Sequence, residues 1–128
     1  MLYALLCYNS EEMVFSWDKD EESAVMNRLG VVRDKLSREG KLGPSLRLMP
    51  STAATTLRKS DPPMVIDGPF AETKEQLLGF YVVDCDSYEE AEALARSLPS
   101  VNTVFEIRPV RLFFPGNGFK EVRQALPD

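Results

Sequence analysis

The chain has 128 residues, 44% of them hydrophobic and 27% charged, with a formal net charge of −5. Those values describe one ordinary domain with enough apolar residues for a single core. They argue against nucleic acid, which needs a basic surface to displace counterions, and no apolar run approaches the roughly 20 residues of a membrane span.

The chain contains no histidine. That removes the commonest general base near neutral pH and the commonest metal ligand, and with them Ser-His-Asp, Cys-His and His-containing zinc chemistry. Catalysis, if present, falls to carboxylates, Lys, Tyr, Cys or Arg, or to a borrowed cofactor; the expectation is neither a metal nor a cofactor. Cys7 and Cys85 lie in predicted strands and read as small buried hydrophobes. The first residues, MLYALLCY, are too short for a signal peptide and lack a basic start and a cleavage site, so a cytosolic, cytoplasmic protein is expected.

Leu2 to Tyr8 is an apolar, aromatic run that reads as a largely buried strand. A polar-aromatic connector follows over residues 9–17. Asp18, with Glu21 three positions on, forms a capping box. Val25, Leu29, Val32 and Leu36 then lay one apolar stripe along a helix, which Gly40 ends. Leu46 to Met49 and Thr55 to Arg58 read as short strands, and the residues from Lys59 to Pro63 are turn chemistry. Met64 to Ile66 is a brief apolar extension.

Leu78 to Asp84 is the best strand candidate, rich in β-formers. Ser87 and Glu90 open a second helix whose apolar side is Ala91, Leu94, Ala95 and Leu98, ended by Pro99. Val104 to Val110 alternates, with Phe105 and Ile107 on one face and Glu106 and Arg108 on the other. We divide the chain into a domain over residues 1–111 and a tail over 112–128, with a short helix expected from Phe119 to Leu126.

The order β-α-β-β-β-α-β is the split βαβ pattern of a ferredoxin-like α+β domain. Both helices then cover one face of the sheet. The other face needs a partner or a ligand, so pairing into a homodimer is expected.

The stretch DGPFAETK, residues 67–74, is the densest polar feature. Read as structure, Asp67-Gly68-Pro69 is a corner, Asp67 caps the backbone that follows it, and Phe70 plugs the core. Read as chemistry, Asp67 is a carboxylate beside an aromatic ring on a loop held by a scaffold, with Glu72 and Lys74 close by. Glu106 and Arg108 either line a cavity between subunits or form a solvated cross-strand face. Tyr81 joins the candidate lining, although strand tyrosines such as Tyr3, Tyr8 and Tyr81 are more often core.

The string DGPFAETKEQLLGFYVVDCDSYEEAEALARSLP, with MLYALLCYN before it and a strand ending EIRPV after it, resembles the DGPF-domain branch of the YCII-related family. The resemblance implies that two ferredoxin-like subunits form a dimeric α+β barrel, similar to muconolactone isomerases. It implies no established reaction, and many members are similar to proteins encoded beside alternative sigma factors. Some relatives use a His-Asp pair, but here the histidine's place falls near Leu29. Of that pair Asp67 alone remains, matching the motif aspartate.

Two expectations follow. One is a small-molecule site in the dimer cavity, with Asp67 as acid or base for an isomerase- or lyase-like proton transfer on an aromatic or carboxylate-bearing compound. The other is a non-enzymatic module for ligand sensing or protein binding, linked to transcriptional regulation, with the C-terminal tail as its partner surface. A fold that has lost an ancestral activity is a third.

Overall fold

The computed structural model describes residues 1–14, 17–99 and 103–125. Within them the chain runs β1 (Leu2–Asn9), α1 (Glu11–Val14), α2 (Lys19–Arg38), β2 (Leu42–Arg47), β3 (Thr55–Arg58), β4 (Met64–Asp67), β5 (Gln76–Asp84), α3 (Tyr88–Ser97) and β6 (Val104–Pro109). Four strands form an antiparallel sheet in the order β2-β5-β1-β6, and β3 and β4 pair only with each other. With α2 and α3 as the connecting helices, this is a ferredoxin-like α+β fold.

Local chemistry sets both helices. The Asp18 carboxylate accepts the Glu21 N–H at 2.7 Å, and Asp20, Glu21 and Glu22 favour the positive end of the helix dipole. At the other end Gly40, at φ 68, donates to Ser37 O while Lys41 N–H reaches Leu36 O. That double bond is a Schellman ending, which needs the left-handed residue that glycine supplies. Helix α3 starts at Ser87, whose hydroxyl accepts the Glu90 N–H at 3.1 Å. The Glu90 carboxylate reaches back to the Asp86 N–H, one residue before the cap, and also pairs with Lys41.

Strand parity divides the sheet into two faces. Tyr3, Leu5, Val83, Cys85 and, less completely, Tyr81, Phe105 and Ile107 point toward the helices. They pack with Leu36 of α2 and with Ala91, Leu94, Ala95 and Leu98. All four apolar positions expected on α3 are buried, whereas on α2 only Leu36 is buried, and Leu29 and Val32 are half-buried.

The middle of the chain differs from expectation. The second strand is Leu42–Arg47 rather than Leu46 to Met49, and it carries Pro44, which an edge strand tolerates. Residues 11–14 of the connector form one helical turn. The extension at Met64 is a full strand, β4, because β3 supplies a partner from Thr55 to Arg58. A three-residue apolar run does not by itself show that the segment before the turn will pair with it.

Val110 N–H still bonds to Leu2 O at 2.9 Å. Residues 111–125 form neither helix nor strand. The helix expected from Phe119 is therefore not formed as far as residue 125, and Leu126 lies outside the described residues.

Candidate functional site

The uncovered face of the sheet is a grid of three rows. Ala4 lies between Val82 and Arg108, Leu6 between Phe80 and Glu106, and Tyr8 between Leu77 and Val104, with Leu46 flanking Phe80. Most of these side chains are apolar. The polar ones gather at the β6 edge. The Tyr8 hydroxyl donates to Glu106 Oε1 at 3.1 Å, and Arg108 Nε lies 4.0 Å from Glu106 Oε2. Each oxygen of one carboxylate thus faces a different donor.

Burial raises the Tyr8 phenol above its ordinary value of 10, and the hydrogen bond and charge of Glu106 add to that rise; Arg108 opposes it. Tyr8 therefore stays protonated and donates. Arg108, with 69% of its side chain exposed, retains guanidinium donors directed to solvent. The set offers a hydrogen-bond donor, a carboxylate and a fork-shaped cation above an apolar floor, which suits a flat ligand bearing an anionic group.

Glu106 and Arg108 are the sequence-selected pair that the fold brings together. Tyr81 is not with them. It sits opposite Leu5, on the helix side, so it cannot line the same surface. Burial raises its pKa, the nearby Cys7 adds to that, and Arg33 and Arg47 act against it. Tyr8 takes the place expected of Tyr81. Sequence reasoning passed over it because a strand tyrosine reads as core, although its parity with Leu6 and Ala4 was a usable signal.

Asp67 ends β4, exposed, opposite Thr55. The Asp-Gly corner lies at the open end of a hairpin whose turn is residues 59–63, and not on a loop of the main sheet. Gly68 N–H bonds to Ala54 O at 2.8 Å, Thr56 Oγ1 donates to Gly68 O at 2.8 Å, and Gly68 holds φ 110. Among the described residues the Asp67 carboxylate accepts no hydrogen bond, so it is not the cap expected for residues 71–76. Nor does Phe70 plug the core. It is 77% exposed, with the Arg58 guanidinium 5.6 Å from its ring centre. Both corrections share a cause: the motif belongs to a ribbon standing off the domain. Glu72 and Lys74 lie exposed on the link into β5 and form no ion pair with described residues.

Elsewhere, a depression of about 360 Å³ between α3 and β6 is lined by Tyr88, Thr103, Phe105 and the Glu92–Arg96 ion pair. Cys7 and Cys85 are free thiols, and burial pushes Cys7 up to about 12, which disfavours the nucleophilic thiolate. Among the described residues no three Cys, Asp or Glu side chains gather as a metal site, and no helix is long and apolar enough to cross a membrane.

The pattern of the YCII-related domain matches residues 1–114. The chain belongs to the YCII-related family. It is also 52% identical over 120 residues to an uncharacterized protein of Rhizobium meliloti (strain 1021), covering 91% of this chain and 97% of that protein. The family match takes in both sheets of this YCII-related domain and runs to residue 114, against the domain end expected at 111.

Proposed function

We propose that this YCII-related protein acts as a homodimer whose uncovered sheet faces enclose a small-molecule site, in the manner of a dimeric α+β barrel. The observation that carries the reading is the Tyr8–Glu106–Arg108 array on an otherwise apolar face. Arg108 binds the anionic group of an aromatic or carboxylate-bearing compound, and Leu6, Phe80 and Leu46 contact its body. A carboxylate supplies the isomerase- or lyase-type proton transfer, which needs no cofactor. Asp67 holds that role by its place in the DGPF motif, with Glu72 and Lys74 flanking it, and Glu106 is the carboxylate that the geometry adds. Unpaired thiols at Cys7 and Cys85 support a cytosolic setting.

The test is titration of the ¹⁵N-labelled protein with benzoate, followed by amide shifts. Shifts at residues 6, 8, 80, 106 and 108 that vanish in Arg108→Gln support the reading. Shifts confined to residues 66–75 would move the site to the hairpin and Asp67. No shift at low-millimolar benzoate would rule out an aryl carboxylate as the ligand class.

A second reading, a non-enzymatic protein-binding module, is favoured by the tail, where Leu112, Phe114 and Phe119 are 69%, 79% and 87% exposed. Such a row of apolar side chains marks an interaction surface. Truncation after Val110 that abolishes capture of a partner, while leaving the oligomer and the fold intact, supports the module. Loss of the oligomer would assign the tail to the subunit interface instead.

A further inference from the structure

The chain exposes 10079 Å² of surface. A compact monomer of 14.4 kDa exposes about 6,800 Å². The excess, roughly 3,000 Å², is at or above what a large obligate dimer takes from each subunit. Covering the open sheet face accounts for little of it. Four strands spaced about 4.8 Å apart and some seven residues long present a footprint of roughly 450 Å². The β3–β4 hairpin carries part of the rest, with every residue of β4 and all of β3 but Thr56 exposed.

The hairpin is telling because it is already folded. A two-stranded ribbon alone is marginal in water, yet β3 and β4 join no other strand. It also shows apolar side chains on both faces. Leu57 and Val65 form a cross-strand pair on one, at 58% and 66% exposure, and Met64 and Ile66 lie on the other. A ribbon with two apolar faces needs cover on at least one that its own domain does not supply.

We infer that the β3–β4 hairpin is an arm that docks on a second copy of this chain, each subunit embracing the other through Leu57, Met64, Val65 and Ile66. The occupant is a second copy because the uncovered area has the size of an obligate self-interface. The same chain also offers an apolar sheet face as the complementary surface, and a two-fold operator satisfies both arms at once. The inference rests on the homodimer proposed above and adds the element that holds it together.

The experiment uses the full chain. Sedimentation equilibrium gives the mass, and mixed dimers of one ¹³C-methyl-labelled and one unlabelled subunit are then examined by isotope-filtered NOE spectroscopy. The expected result is a dimer with intermolecular NOEs from the methyls of Leu57, Val65 and Ile66. In the Leu57→Ser/Val65→Ser double variant the dissociation constant should rise at least 100-fold, with an unchanged near-ultraviolet circular dichroism spectrum, because neither side chain touches the core. A dimer whose hairpin NOEs are all intramolecular, and whose double variant associates as tightly, overturns the arm and leaves the proposed dimer standing. A monomer overturns both.

Discussion

The Tyr8 hydroxyl donates to Glu106 Oε1 at 3.1 Å between two adjacent strands whose residues lie 98 positions apart in sequence. Tyr8 faces Val104 in the register, so Glu106 is its diagonal neighbour, within reach of a long side chain. Glu106→Gln removes the charge and keeps the size. The phenol of Tyr8 should then titrate at lower pH than in the unmutated protein, because the hydrogen bond and charge of Glu106 both add to the rise that burial begins. Ultraviolet titration compared with a Tyr8→Phe control isolates this residue. An unchanged curve would mean that the bond does not persist in solution.

Asp67 and Gly68 are adjacent and should behave oppositely. The aspartate carboxylate accepts no bond from the described residues, whereas Gly68, at a positive φ of 110, continues the β3–β4 ladder past Asp67 through its N–H bond to Ala54 O. Gly68→Ala should speed hydrogen exchange of the residue 68 amide roughly tenfold, equivalent to about 1.4 kcal/mol of local strain. Asp67→Asn should leave that amide's exchange unchanged. Slower exchange in the unmutated protein than in Asp67→Asn would restore the aspartate as a structural corner.

Gly79 is required for a different reason. A Cβ there would lie 2.1 Å from Leu46 O and 3.1 Å from Arg47 Cα, both backbone atoms of the neighbouring strand. The conflict cannot be relieved by a rotamer change. Gly79→Ala should cost at least about 2 kcal/mol by denaturant titration, because β2 must separate from β5 to accept it. A cost within the error of extrapolation would show that β2 is loosely held.

Glu90 provides the pH dependence. Lys41, first by hydrogen bonding and then with help from the Asp86 N–H, holds its carboxyl below the ordinary 4.5. A depressed carboxyl stabilises the fold above its unfolded value, and that contribution disappears as pH falls through the folded one. Glu90→Gln should therefore be less stable than the unmutated protein at pH 7, with the gap closing below about pH 4.5. A gap of constant size down to pH 2 would assign the loss to packing rather than charge.

The parts of the fold legible in the sequence are those specified by near neighbours. Asp18 with Glu21, Ser87 with Glu90, and Gly40 each settle a helix end within a few residues, and they sit where the spacing places them. The alternation from Phe105 to Arg108 likewise reads correctly, since a strand's parity is written along it. Pairing is not written that way. That β4 exists at all depends on β3, and that Tyr81 faces the helices while Tyr8 does not depends on the register of β1 against β5. A slip of one residue would put the two tyrosines on the same face. Phe70 was misread for the same reason, because its burial depends on where the ribbon goes and not on the residues around it.

Helix α2 is fastened to the sheet at one end. Leu36 is its buried residue, Leu29 and Val32 lean on the same cluster, and the turns before them meet β2 through the solvent-exposed Glu22–Arg47 ion pair, 3.7 Å apart. Such pairs contribute little in water. The first two turns, where Val25 is half-buried, therefore draw much of their helicity from continuity with the fastened half and from the Asp18 cap, and their amides should exchange faster than those around Leu36. The helix thus carries its core contacts in its C-terminal half, and its start depends on what happens at Asp18 more than on the sheet beneath it.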